Sequence, residues 1–177
     1  VNAGGYVCYC GYTIKKFRNW LKSKYGDLNG LNKAWRRRYS SWNDVFPGRT
    51  PGSPYTEKME FLRFISWRVR EHLKFRYSKI REYDTEHIIA AHCAHPCIFC
   101  GNEGLSRGND WDMADELDGF GSSHFPAWGS YSDILYGIRL QSVKSAVRDK
   151  IYWISELQGG SARYSFDSVH TPVSPEE

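Results

Sequence analysis

Apolar residues recur at helical spacing through the first half of the chain and predict three helices. The first spans residues 13–25 and ends at Gly26, a residue type that favours a helix C-cap. The second follows directly at residues 27–38, and a long third helix covers residues 56–83 after a loop rich in proline and glycine. The apolar stripe of this third helix is predicted to consist of Met59, Leu62, Ile65, Val69, Leu73 and Ile80.

The second half of the chain alternates short apolar runs with helical patterns. The runs predict strands at residues 87–92, 118–123 and 150–157, the first and last of them buried, with helices between them at residues 110–117 and 131–147. Alternation of this kind is typical of parallel β-α units and indicates the α/β class. The loops after the strands of a (β/α)8 barrel build its active site, although three strands are too few to close such a barrel.

Composition narrows the classes of partner that the protein is expected to have. No run of about 18 apolar residues is present, so we expect no membrane-spanning segment. The net charge is +4, and the basic runs at residues 36–38 and 63–81 are interpreted as solvated helix faces, which does not favour a nucleic-acid partner. Aromatic residues make up 16% of the chain, and such side chains either fill cores or stack on sugar rings.

Cysteine usage bears on the cellular compartment. The cysteines are Cys8, Cys10, Cys93, Cys97 and Cys100. An odd number in a chain of this size is not typical of a secreted disulfide framework. Reduced thiols and a cytoplasmic location are therefore expected.

Glu156 is the residue that the strand pattern singles out for chemistry. It follows the apolar run of residues 151–155, and Gln158, Gly159 and Gly160 come soon after it. A carboxylate at the end of a buried strand costs free energy unless it is paired or functional. Two interpretations follow: Glu156 forms an ion pair at the rim of the sheet, or Glu156 is a functional group that the small residues after it leave open to a substrate.

Two stretches of the chain match motifs of a known family. Residues 153–160, Trp-Ile-Ser-Glu-Leu-Gln-Gly-Gly, resemble the seventh-strand motif of glycoside hydrolase family 42, the β-galactosidases of bacteria. Residues 2–10, Asn-Ala-Gly-Gly-Tyr-Val-Cys-Tyr-Cys, are similar to the stretch after the fourth strand of that family, and further matches follow along the first two helices. The resemblance implies that residues 1–177 are a partial TIM-barrel domain, from the end of strand four to just past strand seven.

The resemblance also implies an activity. It indicates a retaining glycosidase that acts on β-galactosides or related sugars, with Glu156 as the nucleophile that forms a covalent glycosyl-enzyme. Asn2 would hydrogen-bond the 2-hydroxyl of the sugar, and the protein would form a homotrimer. The acid/base glutamate of the family is expected at position 3, where this chain has Ala3, and a methyl group cannot donate a proton.

Three explanations of Ala3 remain open: an engineered exchange, a natural loss of catalysis, or a shifted alignment. A natural loss would leave a protein that binds carbohydrate without turning it over. Another Asn-Glu pair occurs at Asn102-Glu103, but it lies in the cysteine-bearing loop. We therefore interpret Glu103 as an exposed loop carboxylate.

Further candidates for binding a carbohydrate substrate lie at or after the predicted strand ends. They are His92, Phe125, Trp128 and Gln158. Trp128 follows Pro126 in a loop, which makes it the aromatic side chain most suited to stack on a sugar.

Zinc ligands are considered at two places. Some members of the resembled family carry zinc on Cys-x-Cys-x-x-Cys, but here Thr13 takes the third position after Cys8 and Cys10, so no zinc is expected there. The second group of potential ligands consists of His92, Cys93, His95, Cys97 and Cys100. It is interpreted as thiols in a loop beside the pocket, with a thiol- or zinc-organised structural domain as the alternative. We expect no cofactor.

Overall fold

Five α-helices and three β-strands make up the described part of a computed structural model, which comprises residues 8–48, 54–99, 108–125 and 132–157. The helices are α1 (Gly11–Tyr25), α2 (Leu28–Trp35), α3 (Tyr55–Arg81), α4 (Asp110–Asp115) and α5 (Asp133–Val147). The strands are β1 (Ala90–Cys93), β2 (Gly119–His124) and β3 (Ile151–Leu157), and 3-10 turns occur at Trp42–Asp44 and Cys97–Phe99. Each predicted helix and strand is present, with its ends displaced by a few residues. None of the described helices is long and apolar enough to cross a membrane.

Backbone conformation sets the boundary between α1 and α2 and the end of α2. Gly26 has φ 77°, and its N–H donates to the carbonyl oxygen of Lys22 at 2.8 Å. Asp27 then caps α2, because its side chain accepts the N–H of Gly30 at 2.7 Å. The backbone of Arg36 has the left-handed helical conformation, with φ 55°, and α2 ends at this residue. The predicted extension of this helix to residue 38 is therefore wrong.

α1, α2 and the first half of α3 pack around an aromatic core. The ring of Phe17 lies 5.1 Å from that of Phe61 and 5.4 Å from that of Phe64, distances typical of favourable aromatic pairs. The buried members of this first core are Phe17, Leu21, Leu31, Trp35, Val45, Phe61, Phe64 and Ile65. Much of the unusual aromatic content is therefore structural.

The predicted apolar stripe of α3 is only partly correct. Ile65 is buried as expected, but Ile80 is 45% exposed, whereas Phe61, outside the stripe, is 2% exposed. The buried face changes along the helix because its first half packs on the aromatic core. Val69 and Leu73, in its second half, pack instead on a second core against the sheet.

Two acidic residues of α3 are buried and paired. Glu57 and Glu60 are 4% and 3% exposed. Glu57 accepts hydrogen bonds from Arg37 Nε at 2.7 Å and from the Tyr39 hydroxyl at 3.0 Å, and Glu60 pairs with Lys24 Nζ at 2.7 Å. Burial and the hydrogen bond to Glu57 raise the pKa of Tyr39 to about 12. These contacts attach α1 and the segment that follows α2 to α3, and the apolar periodicity of the sequence does not predict them.

The three strands form a parallel sheet in the order β1-β2-β3, which confirms the predicted parallel arrangement. Phe120 lies in the central strand and pairs with Ala91 on one side and Tyr152 on the other. Helices α3, α4 and α5 cover the face of the sheet that carries Phe120. The second core, between these helices and the sheet, contains Met113, Ala114, Leu117, Phe120, Val143 and Val147.

The outer strands are less buried than predicted. β1 begins at Ala90 instead of residue 87 and is half-buried. In β3, Ile151, Trp153 and Ile154 are 45%, 47% and 43% exposed. The expectation of a buried strand was wrong because, among the described residues, β3 pairs with β2 along one edge only. Ile151 and Trp153, the partners of Gly119 and Gly121, lie on the face away from the helices and meet solvent.

Polar contacts at the amino ends of the strands fix the sheet to the helices. Asp118, just before β2, forms an ion pair with Arg81 and accepts hydrogen bonds from the Ile89 N–H at 2.8 Å and the Tyr77 hydroxyl at 2.9 Å. The Ile89 N–H is the main cause that lowers the pKa of Asp118. Lys150, just before β3, donates hydrogen bonds of 2.8 Å to three carbonyl oxygens at and after the end of α4. These anchors hold the strands in register, so that their carboxyl ends share one edge.

Candidate active site

The carboxyl ends of the three strands lie along one edge of the sheet because all the strands are parallel. Two predicted site residues are at this edge, His92 near the end of β1 and Glu156 near the end of β3. Phe125, a third, directly follows β2. Parallel sheets and barrels of this class bind their ligands at the carboxyl ends of the strands. We therefore take this edge as the candidate active site.

A β-bulge near the end of β3 decides where Glu156 lies. Ser122 pairs with Ile154, but the next residue, Ser123, pairs with Glu156, so Ser155 is an extra residue without a partner in the register. Such a bulge shifts the side-chain alternation of a strand by one residue. Every residue of β3 after the bulge is therefore on the opposite face from the one that simple alternation would give.

The bulge places Glu156 on the open face of the sheet. Gly121 and Ser123 are two residues apart on β2 and share a face, and their partners on β3 are Trp153 and Glu156. Trp153 and Glu156 hence share that face although they are three residues apart. Tyr152 packs on the second core and lies on the other face.

The indole of Trp153 lies over Gly121. A Cβ atom at Gly121 would be 2.1 Å from Trp153 Cδ1 and 2.4 Å from the Trp153 carbonyl oxygen, so glycine is needed to accommodate the indole. His92 pairs with Gly121 from the opposite side and shares the same face. The open face therefore presents an imidazole, an exposed indole and a carboxylate near its carboxyl edge. Ser123, 1% exposed, lies on this face too, and its hydroxyl has no hydrogen-bond partner among the described residues.

The structure places only some of the predicted site residues at the carboxyl edge of the sheet. His92 and Glu156 are exposed and share the open face, and Phe125 is half-buried at the same edge. Glu156 forms no ion pair within the described part of the chain, and both interpretations of Glu156 stay predictions. The other members of the predicted set, Asn2, Ala3, Trp128 and Gln158, lie outside the described residues, as does Glu103.

A buried histidine behind this edge was missed by sequence reasoning. His124, the last residue of β2, is 1% exposed, and its Nε2 lies 2.6 Å from the Ser122 hydroxyl. Its ring makes an edge contact with Tyr136 of α5, with centroids 5.1 Å apart. Burial and the nearby charge of Arg139 lower the pKa of His124. His124 is therefore a neutral residue that packs between the sheet and α5. The polar sequence Ser-Ser-His at the end of a strand was the only feature of the sequence that could have drawn attention to it.

The depressed pKa of His124 makes the stability of the protein depend on pH. An unfolded histidine has a pKa of about 6.5, so below that pH the unfolded chain binds more protons than the folded protein. We expect the contribution of His124 to be fully present above about pH 6.5 and to be lost as the pH falls toward the pKa of the folded state. The slope should be at most about 1.4 kcal/mol per pH unit, measured by thermal melts between about pH 8 and about pH 5.

A matched pair of variants isolates the effect of His124. His124→Gln should melt at a lower temperature at neutral pH but lose less stability on acidification than the unmodified protein. His72→Gln is the control and should keep the unmodified pH dependence, since His72 is exposed on α3 and forms no hydrogen bond or ion pair of its side chain within the described residues. Equal acid sensitivity of the unmodified and His124→Gln proteins would contradict the assignment.

Comparison with protein families identifies the larger group to which the chain belongs. The Glyco_hydro_42 family model, described as beta-galactosidase, matches residues 2–177. The chain belongs to glycoside hydrolase family 42. This finding confirms the resemblance that the motifs at the two ends of the sequence indicate.

Relatives in family 42 are considerably longer than this chain. The chain is 25% identical to the β-galactosidase Bga of Halorubrum lacusprofundi over 178 residues, which cover 89% of the chain and 24% of that relative. It is 27% identical to the β-galactosidase BgaA of Clostridium cellulovorans over 176 residues, which cover 93% of the chain and 25% of that relative. The chain thus spans about a quarter of the length of these relatives.

Two solved structures share the fold. The β-galactosidase from the psychrophilic Marinomonas ef1 superposes with a TM-score of 0.73 at 18% identity, over 95% of this chain and 28% of that chain. The β-galactosidase from the Antarctic haloarchaeon Halorubrum lacusprofundi gives a TM-score of 0.70 at 23% identity, over 90% of this chain and 26% of that chain. At these identities the likeness shows the fold, and it confirms the predicted α/β class and partial barrel.

Cys8 and Cys10, the first two positions of the Cys-x-Cys-x-x-Cys pattern considered in the sequence, are exposed and reduced. The Cys10 N–H donates to Cys8 Sγ at 3.4 Å, and Cys10 Sγ lies 3.5 Å from the Thr13 hydroxyl. Hydrogen bonds with Thr13 and then with Cys8 lower the pKa of Cys10 to about 7. Among the described residues, no group of three or more His, Cys, Asp or Glu side chains is placed to hold a metal ion. The expected absence of zinc stays a prediction, and Cys100, from the second group of ligands, lies outside the described residues.

A cavity of about 890 Å³ lies away from the strand ends. It opens between α1 and α3 and is lined in part by Trp20 and Trp67. The rings of these residues are 6.4 Å apart, and both belong to the aromatic packing of the helices. The cavity is therefore separate from the edge that carries Glu156.

Proposed function

We propose that this chain carries the nucleophile of a retaining β-galactosidase. The observation that carries the proposal is the bulge in β3, which turns Glu156 onto the open face at the carboxyl edge of the sheet. The names of the family model and of the relatives supply the substrate class. The proposed activity of the protein that contains this chain is the hydrolysis of β-galactosides or related sugars.

In the proposed reaction, a carboxylate oxygen of Glu156 attacks the anomeric carbon while the bond to the leaving oxygen breaks. Water then cleaves the resulting galactosyl ester, which restores the carboxylate and releases the sugar with its configuration retained. Trp153 offers an exposed aromatic face beside the nucleophile, and such faces stack on sugar rings. His92, on the same face, is positioned to hydrogen-bond sugar hydroxyls. None of these steps requires a cofactor.

Ala3 determines which substrates such an enzyme can use. In family 42 the matching position supplies the proton for the leaving group, and an alanine side chain has none to give. Substrates whose leaving group needs no proton, such as dinitrophenyl galactosides, should still form the covalent intermediate, while ordinary galactosides should scarcely react. The same residue favours a second candidate function, carbohydrate binding without turnover. The homotrimer and the cytoplasmic location stay predictions.

Covalent labelling tests the nucleophile. A dinitrophenyl 2-deoxy-2-fluoro-galactoside should leave a fluorogalactosyl group on Glu156. The fluorine slows both the formation and the hydrolysis of the intermediate, but the good leaving group restores the rate of formation only, so the intermediate accumulates. Cleavage after lysine and arginine yields a peptide of residues 151–163, in which Glu156 is the single carboxylate side chain. Mass spectrometry should find the label in this peptide, and excess galactose should protect it.

The alternative outcomes separate the candidate functions. A label in the peptide of residues 82–107, which contains Glu103, would reject Glu156 as the nucleophile. Sugar binding without any label, in both the unmodified protein and Ala3→Glu, would instead support carbohydrate binding without turnover. If Ala3 marks the lost acid/base position, Ala3→Glu should hydrolyse ordinary galactosides, and its activity should no longer respond to added azide.

A further inference from the structure

A buried hydroxyl group lies beside Glu156 on the open face of the sheet. Ser123 of β2 pairs with Glu156 of β3 in the register, and both side chains belong to that face. Ser123 is 1% exposed, and its Oγ has no hydrogen-bond partner among the described residues. A buried hydroxyl without a partner is uncommon in folded proteins, because water cannot replace the missing hydrogen bond. The hydroxyl of Ser123 therefore requires an explanation.

The neighbours of Ser123 on this face include one polar side chain. Gly121 lies two residues before it and Phe125 two residues after it, so neither neighbour along the chain has a hydrogen-bonding side chain. Toward β1, the residue after the last paired position is Ala94. Toward β3, the paired residue is Glu156. Among these four described neighbours, Glu156 is the one whose side chain can accept a hydrogen bond.

The carboxylate of Glu156 is an available acceptor. Its side chain is exposed and forms no hydrogen bond within the described part of the chain. Adjacent strands lie about 4.8 Å apart, so paired side chains on one face are neighbours. A serine hydroxyl turns between three staggered positions about a single bond. Because the hydroxyl of Ser123 is unpaired, it can turn toward the carboxylate without breaking a hydrogen bond to any described residue.

We propose that Ser123 is a positioning residue for Glu156. Its hydroxyl donates a hydrogen bond to one carboxylate oxygen and directs the other oxygen toward the anomeric carbon, an inference that rests on the proposed role of Glu156 as nucleophile. The side chain of an exposed glutamate has several rotatable bonds, and few of its conformations allow attack. A hydrogen bond to a charged acceptor is strong enough to select among them. The buried Oγ of Ser123 acts through Glu156 and does not contact the sugar.

The kinetics of covalent labelling test this role. The rate of labelling by the dinitrophenyl 2-deoxy-2-fluoro-galactoside, measured at increasing concentrations, gives a maximal rate constant and a half-saturating concentration. Ser123→Ala should lower the maximal rate constant by about tenfold, because the carboxylate is aligned less often. The half-saturating concentration should stay within about twofold, since binding of the sugar is unchanged. The melting temperature should be unchanged or higher, because the variant lacks a buried hydroxyl that had no partner.

Ser122→Ala is the matched control. Ser122 is also fully buried in β2, but its hydroxyl lies 2.6 Å from His124 Nε2 on the face that the helices cover. Loss of this hydrogen bond should lower the melting temperature and leave the labelling rate unchanged. The two variants are therefore expected to show opposite patterns, which a general loss of stability would not produce.

A second pair of variants tests the hydroxyl at nearly constant side-chain shape. Ser123→Thr and Ser123→Val add similar volume, and threonine alone retains the donor. Ser123→Thr should be labelled at least about fivefold faster than Ser123→Val. Equal maximal rates for this pair, or for Ser123→Ala and the unmodified protein, would overturn the positioning role and leave Glu156 as the labelled nucleophile. Absence of the label from Glu156 in the unmodified protein would overturn the proposed function and this inference together.

Discussion

Replacement of Glu156 by glutamine is expected to reduce the hydrolysis of a dinitrophenyl β-galactoside by about three orders of magnitude or more, a loss of at least about 4 kcal/mol of transition-state stabilisation. The amide has nearly the shape of the carboxylate but does not form the glycosyl ester. The assay should contain azide, which accepts the galactosyl group in place of an activated water molecule, so that the first step limits the rate. Initial rates at low substrate concentration give kcat/KM, which reports that step.

Glu86→Gln is the matched control for this experiment. Glu86 is exposed and precedes β1, so the same chemical change there should leave both rate and melting temperature unchanged. Glu156 is exposed as well, and its replacement should therefore preserve the melting temperature while removing activity. A Glu156→Gln protein that keeps a tenth or more of the activity would show that another group is the nucleophile.

Gly121→Ala is expected to destabilise the protein by about 3 kcal/mol, near the upper end for an overpacked site. The added Cβ would meet Trp153 at its indole and also at its backbone carbonyl oxygen, 2.4 Å away. Rotation of the indole would relieve the first contact but not the second, so β2 and β3 must move apart locally. Urea denaturation measures the free energy of unfolding, and Trp fluorescence should report displacement of the indole.

Gly137→Ala provides the control for Gly121→Ala. Gly137 lies in α5, and a Cβ there would meet no atom of the described residues within 4 Å outside its own stretch of helix. Because alanine favours helix over glycine, this substitution should be neutral or stabilise by up to about 1 kcal/mol. Equal free energies of unfolding for Gly121→Ala and the unmodified protein would mean that the close packing of Trp153 on β2 does not contribute to stability.

Local patterns in the sequence predicted the order of the elements but not the face on which Glu156 lies. Trp153 and Glu156 are three residues apart, and regular alternation would put them on opposite faces of the sheet. Their common face results from the bulge at Ser155, and a bulge depends on pairing with Ser122 and Ser123 of another strand. The motif therefore identified the correct residue to examine, while its orientation required the register.

Local sequence patterns also failed to predict which polar side chains are buried. His124 is polar and ends a strand, which would suggest an exposed side chain. It is buried because Tyr136, on the following helix, packs against its ring. Glu57 looks like a surface residue of a charged helix, yet Arg37 and Tyr39 allow it to be buried by satisfying its carboxylate. In each case a partner that is distant in the sequence changes the environment that the local pattern indicates.

Helix α3 gives the molecule a mechanical property that neither core would have alone. It contains 27 residues, which at 1.5 Å per residue make a rod of about 40 Å. The first half of the helix packs in the aromatic core through Phe61 and Phe64. Its C-terminal end contacts the residue before β2 through the ion pair between Arg81 and Asp118. If the helical layer tilted relative to the sheet, either α3 would have to bend, or its packing in the aromatic core or its ion pair with Asp118 would have to break. The sheet that carries Glu156 at its opposite edge is thus attached to a stiff helix, which resists motion of the sheet relative to the helical layer.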